Sequence, residues 1–158
     1  MKNSWPELAS IALTAMWLGA ALLLAASVAP AAFDVLPSRT LAGALVGRIL
    51  PVVFVSGIAV AAVAALLSGR ASWTRYIAPA AVAVACAFAQ FGLGPRIAKL
   101  RTDIGVAVDS LPVDDPQRIL FGQLHAMSVA FLGAAMIGAV VILVMQLLAM
   151  RQRLHGAR

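Results

Sequence analysis

The sequence predicts an all-α integral membrane bundle of four transmembrane helices, with one amphipathic interfacial helix between spans three and four. Three observations carry this. Apolar residues make up 63% of the 158 residues and charged residues 11%, whereas a soluble domain carries about 25% charge. Four long stretches contain no Asp, Glu, Lys or Arg, and about 20 apolar residues cross a hydrocarbon core. The stretches are continuous rather than alternating with period two, which selects helices over a closed barrel, the other structure that satisfies backbone groups in lipid. The chain is read as a single domain, residues 1–158, with spans at about 8–33, 49–69, 76–94 and 119–150 and the amphipathic helix at about 96–111.

The first run is 26 residues long. A secretory signal peptide is the rival reading, because Ala29, Ala31 and Ala32 offer small residues near its end. Signal h-regions run about 7–15 residues, and Glu7 is unusual in a signal n-region, so a retained span is expected. The second run follows Ser38, a fair N-cap after Pro37. Residues 39–47 are expected to form an interfacial lead-in turn, and Pro51 to kink the helix. The third run should stop at Gly92, Gly94 and Pro95. In residues 96–111 the apolar positions Ile97, Leu100, Ile104, Val108 and Leu111 recur at steps of three and four, the mark of a helix lying on the membrane surface or over the bundle end. Gly105 weakens it. The fourth helix starts with Asp115 as N-cap and Pro116 in the first helical position. Its uncharged stretch of 32 residues exceeds what a bilayer needs, so its first turns should stand in the interface or inside the bundle.

Four spans put both termini on one side. Lys2, Arg70, Arg75, Arg151, Arg153 and Arg158 lie there; Arg39, Arg48, Arg96, Lys99, Arg101 and Arg118 lie on the other. The basic residues balance, but the first set stands almost free of acids, which favours cytoplasmic termini. The expected location is the bacterial inner (plasma) membrane, as a multi-pass protein. Trp5, Trp73 and Tyr76 mark one interface, whereas Trp17 falls inside a span and is read as packed against another helix. The net charge of +6 is scattered singly between apolar runs, which argues against nucleic acid and for headgroup contacts.

Small residues recur at helical spacing: Gly43/Gly47, Ala15/Gly19 and Ala134/Gly138. They point to a compact bundle, and a homo-oligomer is a further possible partner beside the lipid bilayer. Arg48 either snorkels to the interface or turns inward to an acid such as Asp34 or Asp109, or to an anionic ligand. His125 shares a stripe with Arg118 and Ser128 on the fourth helix. It reads as a histidine hydrogen-bonded between helices, with a proton relay or metal ligand as the alternatives. Cys86 is one thiol without a metal-binding neighbour, and Met127, Met136, Met145 and Met150 hold no common face. No cofactor, metal or catalytic residue is expected.

Three further pieces carry a resemblance. Leu36-Pro37-Ser38-Arg39, then Ala42-Gly43 and Arg48-Ile49-Leu50-Pro51, resembles the first loop and second helix of the transmembrane protein 205-like family. Gly94-Pro95-Arg96 with Leu100-Arg101, and Phe121-x-x-Leu124-His125-x-x-Ser128, follow in the family's order. The resemblance implies a four-helix membrane domain of unknown function, with Arg39, Arg48, Pro51, Pro95, Arg96, Arg101, His125 and Ser128 at motif positions. The chain departs from larger relatives in its shorter, less charged third loop, and has Arg48 where some carry Lys.

The function expected is a non-enzymatic membrane protein whose polar end binds a small ligand, an anionic lipid headgroup or a partner. The residues are Arg39, Arg48, Arg96, Arg101, Arg118, His125 and Ser128. A subunit of a transporter or permeation pathway is the alternative, although the spans hold few polar residues and no midplane charge. A redox or cofactor-binding protein, resting on His125 and Cys86, is the third.

Overall fold

The computed structural model describes residues 5–67 and 74–156, with side chains from 5–67 and 76–152. Trp73, Lys2, Arg70 and Arg158, and the side chains of Arg75 and Arg153, lie outside the described residues. Four helices are long and apolar enough to cross a membrane: α1, Trp5–Val35; α2, Arg39–Leu67; α3, Tyr76–Ile104; and α4, which runs Pro116–Gly156. At about 1.5 Å per residue α4 is roughly 60 Å long, so it overhangs a hydrocarbon core of about 30 Å. Each helix packs against its neighbours in the chain, and α1 closes the ring against α4. Short connections make the bundle antiparallel. The N-terminal end of α1 therefore meets the C-terminal end of α4, and the C-terminal end of α3 meets the start of α2.

The packing is that of a protein dissolved in lipid. Small side chains fill the interior: Ala21, Ala61, Ala64, Ala85, Ala89, Ala135 and Ala139 are buried. Large apolar side chains such as Leu66, Val84, Phe91 and Ile137 face outward. Lipid tails are as apolar as leucine, so burying a large side chain adds little drive, whereas small ones let helices approach. On α1 the inward face is Ser10, Thr14, Trp17 and Ala21, spaced four, three and four apart. Its polar members are satisfied within the bundle. Thr14 Oγ1 donates to the Ser10 carbonyl at 2.8 Å, and Trp17 Nε1 donates across the α1–α2 seam to the Val53 carbonyl at 2.8 Å. Trp17 thus packs against another helix, as its position inside a span predicts.

Two close approaches need glycine. A Cβ on Gly57 would sit 2.8 Å from both Cys86 Sγ and Trp17 Cζ2, so α1, α2 and α3 converge there. A Cβ on Gly138 would meet Val82 Cγ2 at 2.5 Å, which sets the α3–α4 spacing. Gly19, paired with Ala15 in the sequence reading, has nothing within 4 Å and faces outward.

Several boundaries differ from expectation. Helix α2 starts at Arg39 and runs unbroken through Pro51, so residues 39–47 are its first turns and not a separate lead-in. Ser38 caps it, its Oγ accepting from the Leu41 N–H at 3.2 Å. Helix α3 does not stop at Gly92, Gly94 and Pro95. A π turn, Phe88–Leu93, widens it, with the Gly94 N–H reaching back five residues to the Ala89 carbonyl. Helix α1 contains the same device: a π turn at Leu24–Val28, and the Ala29 N–H bonded to the Leu24 carbonyl. In each case a proline, Pro30 or Pro95, follows two residues later. A proline ring in an α-helix collides with the carbonyl four residues back. Shifting the ladder to five-residue bonds moves that carbonyl away, and the helix continues.

The helix expected at 96–111 is consequently the end of α3. It stops at Ile104, where Gly105 takes a left-handed φ of 67° and its N–H bonds the Arg101 carbonyl at 3.3 Å. Only a single 3₁₀ turn, Val108–Ser110, follows. The apolar spacing of residues 96–111 is real, but a glycine C-cap outweighs it. Asp115 caps α4 as expected, its Oδ1 accepting from the Gln117 N–H at 2.8 Å.

Candidate functional site

At the loop end of α1–α2 and α3–α4, the chain gathers the start of α2, the last turns of α3 and the first turns of α4. The side chain that joins them is Arg101. It is half-buried in the last turn of α3, where a cation suits the negative end of the helix dipole. Its guanidinium carbon lies 5.5 Å from the centre of the Phe121 ring on α4, within cation–π range. On the other side it fills the surface left open by two glycines of α2. A Cβ on Gly43 would lie 3.2 Å from Arg101 Nη2, and one on Gly47 3.9 Å from Nη1. The GxxxG pair therefore seats a guanidinium. It does not seat a neighbouring helix backbone.

Phe121 continues the stack. The His125 imidazole, one turn on, lies parallel to it, with ring centres 6.4 Å apart and planes 3° apart. Arg101, Phe121 and His125 form one row, cation over ring beside imidazole. Among the described residues Arg101 makes no ion pair and donates no hydrogen bond, although a guanidinium has five N–H donors. The neighbouring Lys99 Nζ does pair, with Asp103 Oδ2 at 2.6 Å on the outer surface. Exposed pairs of this kind add little stability.

The other candidates separate. Arg118 is half-buried and is used by the fold: its Nη1 donates to the Leu111 carbonyl at 2.5 Å and the Asp109 carbonyl at 3.5 Å. It ties the α3–α4 loop to α4. Arg39, Arg48 and Arg96 are exposed. Arg48 pairs with neither Asp34 nor Asp109 among the described contacts. His125 is exposed and makes no hydrogen bond to the described residues, contrary to the interhelical bond expected for it. Ser128 is buried. The two stand three positions apart, about 60° around the helix, so they are neighbours and the edge of the buried face falls between them. Among the described residues no group of three His, Cys, Asp or Glu could hold a metal ion.

Sequence reasoning missed the glycine seat and the role of Phe121. The signals were present: Gly43 and Gly47 stand one turn apart, and Phe121 and His125 stand four apart. Neither spacing tells which helix supplies the cation.

The family described as a domain of unknown function (DUF4149) matches residues 12–105, more than half of the chain. The match takes in Gly43, Gly47 and Arg101 and ends before Phe121. No curated protein and no solved structure matches the chain.

Proposed function

We propose that this chain, which belongs to the DUF4149 family, is a non-enzymatic membrane bundle that holds an anionic phosphate group at its arginine-rich end. Arg101 supports the reading. A half-buried guanidinium seated between two glycines and an aromatic ring, with no described acceptor, is fixed in place while its hydrogen bonds stay open. A planar guanidinium fork suits a phosphate with two oxygens presented side by side. Its position at the end of the bundle suits a lipid headgroup, with exposed Arg39, Arg48 and Arg96 adding attraction to an anionic surface. The kinship with the transmembrane protein 205-like family belongs to the same reading, since Arg101, His125 and the intervening Phe121 carry its motifs.

The test is native mass spectrometry of protein released from vesicles of phosphatidylglycerol and phosphatidylcholine. The unaltered chain should retain phosphatidylglycerol. Arg101→Gln should retain about tenfold less, the scale of one charge-assisted hydrogen-bond pair, and Arg101→Lys an intermediate amount. Arg39→Gln should change little. Displacement by millimolar inorganic phosphate would identify a small anion as the ligand. Equal retention by Arg101→Gln and the unaltered chain would refute the reading. The same spectra report copy number, and Ala15 and Gly19 on the outer face of α1 make a homo-oligomer part of the proposal.

We further place the chain in the bacterial inner membrane with cytoplasmic termini. Cys86 is buried, so the background for thiol labelling is low. An Asp114→Cys variant in the α3–α4 loop should react with an impermeant maleimide added to intact spheroplasts. Labelling only after lysis would reverse the orientation.

A further inference from the structure

Three of the four helices interrupt their hydrogen-bond ladder at one level of the bundle. The level is fixed by the contact of Trp17, Gly57 and Cys86, where α1, α2 and α3 converge. Toward the loop end from there, the π turn of α1 begins at Leu24, seven residues past Trp17. Pro51 of α2 lies six residues before Gly57, and a proline has no N–H for the carbonyl four residues back. The π turn of α3 ends at Leu93, seven residues past Cys86. At about 1.5 Å per residue these breaks fall roughly 10 Å beyond the convergence. Helix α4 crosses the same level with no internal proline and no π turn. Sharp bends in helices concentrate at prolines and π turns. Past this level the packing also divides. Ala32 of α1 and Ala42 and Val46 of α2 form a small apolar cluster apart from the main core. The end of α3, Gly94–Ile104, packs on α4, and its backbone scarcely approaches α2. The Arg101 guanidinium spans the division, from α3 to Gly43 and Gly47 of α2.

We propose that the loop end of the bundle is a hinged clamp. The arm made by the end of α1 and the start of α2 swings, about the level of the breaks, against the end of α3 and the α4 rod on which it packs. Arg101, docked on Gly43 and Gly47, latches the clamp shut. The two glycines present no side chain, so the guanidinium lies on bare backbone and can leave without any side chain of α2 moving aside. Below the hinge, the bond from the Trp17 indole to the Val53 carbonyl holds α1 to α2. A bend of about 20°, acting over the roughly 15 Å from hinge to helix tip, displaces a tip by about 5 Å. The clamp concerns the arms with no anionic lipid present, so it and the phosphate-binding proposal can fail separately.

The experiment measures distances between spin labels by pulsed electron paramagnetic resonance, on the full chain in phosphatidylcholine nanodiscs. Cys86 is buried, so labels go to introduced cysteines. The upper pair is Leu41→Cys with Thr102→Cys, both exposed, one on each side of the clamp. The lower pair is Ala62→Cys with Ala81→Cys, exposed on the same two helices on the other side of the hinge. Each pair should give one narrow distance when nothing else is changed. With Arg101→Gln the upper distance should broaden and its mean lengthen by about 5 Å, while the lower distance stays as it was. Gly43→Leu fills the seat and keeps the charge; it should open the upper pair in the same way, and it carries the test if Arg101→Gln does not fold. An upper distance that stays narrow and unmoved in both substitutions overturns the proposal. Broadening of both pairs alike also overturns it, since the whole bundle would then have loosened. Loss of phosphatidylglycerol retention by Arg101→Gln without arm opening would leave the phosphate-binding proposal standing and remove this one.

Discussion

Gly57→Ala is expected to destabilise the bundle by about 3 kcal/mol, the upper end of what overpacking costs in a close-packed core. A methyl group there would meet Cys86 Sγ and Trp17 Cζ2 at 2.8 Å and Trp17 Cε2 at 2.9 Å. These neighbours cannot retreat cheaply. Trp17 is pinned by the bond from its indole N–H to the Val53 carbonyl. Cys86 is fully buried, with a side chain too short to swing away. Thermal unfolding in detergent micelles measures the loss. Gly19→Ala is the matched control: nothing lies within 4 Å of its added carbon, and alanine favours the helix by about 1 kcal/mol. A Gly57→Ala protein as stable as that control would mean that α1, α2 and α3 do not converge at this point. Adding Cys86→Ala should recover only part of the stability, because the indole contact remains.

The four helices were legible because lipid imposes a simple rule on sequence, a long uncharged run for each crossing. The caps were legible for a local reason: Ser38 and Asp115 each bond an N–H two or three residues on, and nothing distant can change that. The interior of α3 was not legible. Gly92, Gly94 and Pro95 read as a stop because proline ordinarily breaks the ladder, and the π turn that accommodates it is a shift of backbone bonds with no signature in residue type. A stop there makes the apolar spacing beyond it look like a separate surface helix. Pro30 in α1 shows that the same arrangement occurs twice in one chain.

The candidate site was legible in kind and not in detail. Six basic residues on one side announced an affinity for anions, but sequence gave them equal standing. Their roles depend on partners in other helices. Arg118 is taken up by the carbonyls of its own loop, Arg39, Arg48 and Arg96 face outward, and Arg101 alone is seated between helices. That seat rests on Gly43 and Gly47, more than fifty positions earlier in the chain, a separation that helical periodicity cannot bridge. His125 shows the related limit: a stripe drawn through Arg118, His125 and Ser128 crosses the boundary between the inside and the outside of the bundle.

Trp17→Ala should cost about 3–5 kcal/mol, the range for removing a large buried aromatic, and should change the effect of Gly57→Ala. The side chain of a helical residue lies over the turn that precedes it. A side chain at position 57 would therefore cover the Val53 carbonyl, and glycine leaves it open to the indole of α1. The same carbonyl also accepts from Ser56 Oγ at 3.1 Å, so it keeps a partner when the indole is lost. Trp17→Phe, which retains one ring, should then cost only about 1–2 kcal/mol. Trp17→Ala removes both the bond and the atoms that a methyl at position 57 would strike. In that background Gly57→Ala should cost at least 1 kcal/mol less than in the unaltered chain, on the order of the coupling measured between touching residues. A double-mutant cycle read by thermal unfolding in micelles gives the coupling directly. Additive costs would show that the methyl does not reach the indole, and the tight α1–α2 seam would have to be explained by some other contact.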